Sequence, residues 1–180
     1  MTIPNWLDPT REVKNEKLNH PSWEMLDSLE KSVSGICLCL VSLLDLGFSA
    51  QQSIEITANF ASETGWFKKM PAFNLGGWKI TEEYVKEYKR THGGQCPLWF
   101  QAPGHIASGD DPIVYYRGYT KISEFIAAWC ERFLPKNPPS SHRYFKTSKA
   151  FYAGSPSWFK ELCLAGYKGP VTQANPNNSV

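Results

Sequence analysis

Glu63 lies in the string Ala61-Ser62-Glu63-Thr64-Gly65-Trp66, where a strongly apolar helix pattern stops. A carboxylate at the inner end of such a helix costs free energy unless it is solvated, paired or protonated. A carboxyl that stays protonated can donate, so Glu63 is the chain's best candidate for a general acid. The plainer alternative is a solvated charge at a helix end. A partner carboxylate is less easily chosen. Glu82 and Glu83 stand in Thr81-Glu82-Glu83-Tyr84, but Glu82 and Lys86 are four apart and read equally as a paired, wet helix face. Asp110 and Asp111 precede Pro112 in a Gly-rich stretch, a setting in which Asp commonly forms turns. All four stay open.

Other chemistries find little support. His92, Cys96 and His105 match no zinc spacing, so no metal is expected. There is no phosphate loop, dinucleotide fingerprint, Ser-His-Asp order or Cys-His pair, and no cofactor is expected. The formal net charge is +2, and the only basic cluster, Lys86, Lys89 and Arg90, is interleaved with Glu83 and Glu87. That is a solvated face rather than a nucleic-acid footprint. The five cysteines are odd in number and widely spaced, which argues against a disulfide framework and for a reducing compartment.

The elements that must position Glu63 are legible from periodicity and caps. A first helix is expected from Ser22 to Gly47, with a stripe of Leu26, Leu29, Val33, Cys37, Leu40 and Leu44 facing inward. A second opens at Ser49, where Gln52 completes a capping box, and ends at Gly65. On it Ile56, Phe60 and Glu63 share one face, and Ile54, Ala58 and Ala61 form an apolar neighbouring face, so Glu63 is expected to continue a buried stripe. Residues 71–117, punctuated by Gly and Pro, predict a small irregular lobe with minor β content. Its strands are expected at Trp78–Ile80 and Ile113–Tyr116, and a short polar helix at Glu82–Arg90.

Helical order returns after Thr120, with an amphipathic stripe of Ile122, Phe125, Ile126, Trp129 and Phe133 that Pro135 stops. Further helices are expected at Arg143–Tyr152 and from Ser155-Pro156 to Gly166. The fold class is therefore mainly α (α+β), one domain over residues 22–168 between an arm, residues 1–21, and a flexible tail, residues 169–180. The 180 residues suit that size. The run Ile36–Leu46 is too short for a membrane span. The N-terminus has no apolar core of a signal peptide. No membrane insertion is expected.

Three strings, Ser62-Glu63-Thr64-Gly65-Trp66, Phe73-Asn74-Leu75-Gly76-Gly77-Trp78-Lys79 and Tyr116-Arg117-Gly118-Tyr119, together resemble the peptidoglycan glucosaminidases of the lysozyme superfamily, the flagellar-muramidase and autolysin type. Tyr152-Ala153-Gly154-Ser155-Pro156 resembles that family's closing motif. The resemblance runs over roughly Ile36 to Gly166 as an ordered series of short matches. It implies a lysozyme-like helical domain and a bacteriolytic, cell-wall-degrading hydrolase that cuts glycan at N-acetylglucosamine, with Glu63 as the acid.

Residue by residue, the resemblance implies that Asn74 makes a polar contact to an N-acetyl sugar; an Asn satisfying a turn backbone is the equal alternative. It sets Tyr116 at the family's Phe position and Tyr119 at its following Tyr, as cleft-wall candidates. Tyr152 takes the Tyr of the closing motif, a candidate for orienting substrate or water. Trp66 and Trp78 are candidates to stack on sugar rings. Gly76 replaces the family's usual bulky residue and predicts a more flexible loop. The family's second carboxylate has no clear counterpart here. That departure leaves open a substrate-assisted route, a lytic transglycosylase or a silent glycan-binding module of a phage or secretion machine, and the Glu63-Thr64-Gly65-Trp66 string is also similar to plant-type chitinases. The expected partner is the peptidoglycan strand, met by a monomer delivered to the cell wall through lysis, a virion or a secretion system.

Overall fold

The computed structural model describes residues 3–14, 25–103 and 113–167. Six α-helices and one small antiparallel sheet are formed by the described residues: α1 (Ser28–Asp45), α2 (Ala50–Thr64), α3 (Glu82–Thr91), β1 (Leu98–Pro103), β2 (Ile113–Gly118), α4 (Ile122–Phe133), α5 (Phe145–Tyr152) and α6 (Trp158–Leu164). The architecture is mainly helical with a small β element, as expected. Contacts divide the chain into two compact units, Met1–Phe125 and Ile126–Val180.

In the first unit, caps decide where helices start. Asp27 accepts from the amides of Leu29 and Glu30 while Glu30 returns a bond to the Asp27 amide, which closes a capping box on α1. Ser49 and Gln52 do the same for α2, and Gly65 ends that helix with φ 58°. The α1–α2 pair packs along Gly35, Cys39 and Leu43, a line of residues four apart. Gly35 is required there, because a Cβ on it would fall onto the buried Phe67 side chain.

The β lobe is a hairpin in the register Leu98↔Gly118 to Pro103↔Ile113. Residues 78–80 add to its β2 edge through Ile80 N–H to Tyr115 O (2.9 Å) and Arg117 N–H to Trp78 O (2.9 Å). The N-terminal residues add to the other edge through Val13 N–H to Trp99 O (2.7 Å). Leu7, Ile80, Val85, Cys96 and Trp99 form the lobe's core, and the Trp99 indole donates to Asp8 O at 2.8 Å. The segment expected as an arm thus contributes packing from Ile3 to Val13.

The second unit is held by aromatic rings. Phe133 meets Tyr144 and Tyr167 edge-on at 4.8 and 4.9 Å, and Phe151 meets Trp158 at 5.1 Å. Helices α5 and α6 pack against each other.

Several local expectations are corrected. Helix α1 starts at Ser28, while the expected start at Ser22 lies outside the described residues. Most of its expected stripe faces outward: Leu29, Val33 and Leu44 are 71, 52 and 49 % exposed and Cys37 is exposed, while Leu26 and Leu40 are partly buried. From Ile36 to Leu44 the helix is apolar nearly all round, so periodicity does not select the face, and the close approach of Phe67 selects the side with Gly35. Ile54 is likewise exposed on α2. Trp78–Ile80 makes only an isolated bridge, Lys79↔Tyr116, and the strand pairing with β2 is instead β1, masked in the sequence by Pro97 just before it and Pro103 at its end. Helix α6 begins at Trp158, with Ser155 Oγ accepting from the Ser157 amide in the preceding turn. The expected tail, residues 169–180, lies outside the described residues.

Candidate active site

Glu63 occupies the last turn of α2. At ~100° per residue its direction lies within ~20° of Ile56, so the expected face is right. The side chain is nonetheless exposed, together with Ser62, Gly65, Trp66, Lys68 and Lys69. The expected buried setting is corrected: the cover over Ile56 and Phe60 does not extend along this line to the helix end.

The backbone beyond Glu63 is strained. Gly65, Trp66 and Phe67 take φ values of 58, 61 and 63°, the left-handed region that disfavours side chains. The surroundings over-determine this turn. Buried Thr64 donates to Phe60 O (2.8 Å) and accepts from Phe67 N–H (2.8 Å). Trp66 N–H reaches Ala61 O at 2.7 Å, and Ser32 Oγ donates to Trp66 O at 2.8 Å. The result buries Phe67 completely and leaves the Trp66 ring 60 % exposed. Strain of this kind, held by its neighbours, clusters at functional sites.

Phe125 is the hub that joins the second and third strings to α2, the helix that carries Glu63. Its ring meets Phe60, one turn before Glu63, at 5.5 Å, Trp78 at 5.4 Å and Tyr119 at 5.4 Å. Gly76 belongs to the same cluster: a Cβ on it would stand 3.0 Å from Trp78 Nε1 and 3.2 Å from Phe125 Cζ. Glycine at this position is thus a matter of close packing.

Asn74 is buried, and its amide is engaged with backbone. Nδ2 donates to Trp78 O (2.9 Å) and Arg117 O (3.0 Å), and Oδ1 accepts from Trp78 N–H (2.9 Å). This is the turn-satisfying alternative, extended into a clamp between the Gly-Gly turn and β2. Tyr116 stacks on Phe100 at 5.3 Å. Arg117 lies over Tyr84 (3.6 Å) and Trp78 (5.0 Å), and its Nε donates to Lys79 O. Burial raises the Tyr84 phenol's pKa, and the Arg117 charge opposes that rise. Tyr152 belongs to the second unit, half-exposed, with its hydroxyl donating to Leu134 O at 2.8 Å.

The partner carboxylates are ordinary surface groups where they are described. Glu82 pairs with Lys86 at 2.8 Å as its spacing implied. Glu83 is exposed, and hydrogen bonds from its own amide and Thr81 lower its pKa. Asp110, Asp111 and His105 lie outside the described residues. His92 stacks on Tyr88 at 3.8 Å, and no cluster of metal-ligating side chains occurs among the described residues. Sequence reasoning placed Phe125 in a core stripe and missed its linking role; Arg117 was named only inside a motif. No protein-family model, curated protein or solved structure matches the chain.

Proposed function

We propose that the chain is a peptidoglycan hydrolase that cuts the glycan strand at N-acetylglucosamine, with Glu63 as general acid. The observation that carries this reading is the convergence on Phe125. The turn that ends in Glu63, the Asn74–Trp78 turn and the Tyr116–Tyr119 string are distant in sequence, yet Phe60, Trp78 and Tyr119 touch one ring. A general acid must stay protonated beside the leaving oxygen, and desolvation is the usual means. Glu63 is exposed at the helix end, where a bound glycan would cover it. Trp66, exposed three residues on, is the ring that a sugar face would meet first. Asn74 acts through the backbone it clamps, and the motif resemblance assigns Trp78, Tyr116 and Tyr119, packed on Phe125 and Phe100, to the cleft wall.

One observation favours a second reading, a glycan-binding module without catalysis: Glu82 and Glu83, the described partner candidates, are engaged in local surface bonds. Digestion of purified sacculi separates the two. Soluble fragments with reducing N-acetylglucosamine ends support hydrolysis. An anhydro-sugar end identifies a transglycosylase, and sacculus binding without release identifies the silent module.

A further inference from the structure

Helix α1 buries Gly35, Cys39 and Leu43 and turns its opposite face to solvent. Leu29, Val33, Cys37, Val41 and Leu44 follow one another along that face, three or four residues apart over the helix's full length. All five are exposed, with Val41 at 56 % and Leu38 beside them at 45 %. Five aliphatic side chains exposed to this degree present roughly 500 Å², within the ~300–600 Å² of the largest apolar patch on a typical monomer, a size that is often functional. The order of residues along the face selects the occupant. Val33 and Val41 lie four residues to either side of Cys37, and Leu29 and Leu44 eight and seven. The stripe therefore reads nearly alike from either end. A two-fold interface needs a surface that complements itself on reversal. Charge agrees with this direction. Laid antiparallel about Cys37, a second copy brings its Asp45 to the first turn of α1, where a helix N-terminus favours an anion. For aligned axes at about 1.5 Å per residue, that carboxylate lies only ~3 Å along the helix from Lys31 and on the same flank. Glu30, at the same end, holds its own carboxylate on the Asp27 amide at 2.8 Å. Parallel pairing would set Asp45 against Asp45.

We infer that α1 is a self-association face: two copies of the chain pair through antiparallel α1 helices, with Cys37 at the two-fold axis and Val33 of each copy against Val41 of the other. The pair buries about 1,000 Å² in total, the floor for a specific interface. Association is therefore on the order of micromolar or weaker, and the chain is a monomer in dilute solution.

The test is sedimentation equilibrium of the full chain across the micromolar range, where a monomer–dimer equilibrium is expected. Val33→Lys and Val41→Glu, each alone, set a charge against an apolar side chain of the other copy and should weaken association about tenfold or more. Both side chains already face water, so the thermal midpoint in dilute solution should hold. Combined in one chain, the two substitutions should recover most of the lost affinity, because position 33 of one copy meets position 41 of the other. Eight residues apart on their own helix, they are too distant to pair within a copy. The Cys37 thiol, open to a maleimide in dilute solution, should become protected as concentration rises through the same range. A monomer throughout overturns the inference. If Cys37 is then unreactive, the chain itself covers the face; if that monomer binds phosphatidylcholine vesicles, a lipid surface does. A dimer that both single variants leave intact overturns it by placing the interface elsewhere. A dimer that the combined variant fails to recover overturns the antiparallel pairing. None of these readouts involves glycan, so the hydrolase reading stands or falls separately.

Discussion

Trp66 shows how much a single residue is asked to do at the proposed site. Its left-handed backbone costs about 1–2 kcal/mol, yet the residue is 60 % exposed and offsets only part of that through burial. Trp66→Gly removes that strain and adds about 0.5–1 kcal/mol of unfolded-chain entropy. The thermal midpoint should therefore stay level or rise slightly, while KM for glycan rises about threefold to tenfold through the lost ring contact. A clear fall in the midpoint with unchanged KM would reverse that assignment. The cysteines give a second check at this scale. Burial raises the Cys39 thiol's pKa strongly and pushes Cys130 up to about 12, whereas Cys37 is exposed. A thiol reagent added to native protein near pH 8 should modify Cys37 and spare Cys39 and Cys130, as mass mapping would show. Glu63 was legible as the reactive candidate because its helix end could be read. Its exposure was not, because periodicity gives direction around a helix and says nothing of where the cover over that face stops.

At the scale of elements, caps and stripes proved unequal as signals. Ser49 with Gln52 located α2, and the stripe Ile122, Phe125, Ile126, Trp129 and Phe133 is buried throughout. The α1 stripe failed because its leucines and valines surround the helix, so that two small residues, Gly35 and Cys39, decide the packed side. Gly35→Ala tests this. Helix propensity favours alanine by about 1 kcal/mol, but the new methyl overlaps Phe67. Overpacking costs about 1–3 kcal/mol, so a net loss is expected in denaturant unfolding. Leu44→Lys, on the outward face, should change stability by no more than about 0.5 kcal/mol, and Leu43→Ala should cost about 2–5 kcal/mol. Helix α3 supplies a pH dependence. Hydrogen bonds lower the pKa values of Glu83 and Glu87, chiefly from its own amide and Thr81 for the former and from Arg90 for the latter. A depressed carboxylate contributes stability above its unfolded pKa and loses it as pH falls through its folded one. Amide exchange in α3 should therefore quicken as pH drops below about 4, once the rate is corrected for intrinsic chemistry. Glu87→Gln should flatten that response.

For the whole molecule, the mainly helical fold with a small β lobe followed from the order of its apolar periods and Gly/Pro punctuation. What stayed hidden was long-range pairing: β1 with Pro97 before it and Pro103 at its end, the N-terminal residues packed on Trp99, and Phe125 joining two of the strings to α2. Such contacts depend on which surfaces meet, which no local pattern encodes. The hub is the feature on which the proposed activity rests. Phe125→Ala should cost about 3–5 kcal/mol and abolish cleavage together with stability. Phe125→Leu, closer in volume, should keep the fold and lower kcat through displaced Trp78 and Tyr119. The most direct measurement is mass analysis of purified sacculi incubated with the native chain and with Glu63→Gln at equal concentration. Release of fragments ending in N-acetylglucosamine by the native chain, with release lowered at least about a hundredfold in the variant while sacculus binding is retained, is the expected outcome. Equal release by both proteins, or none by the native chain, would contradict it.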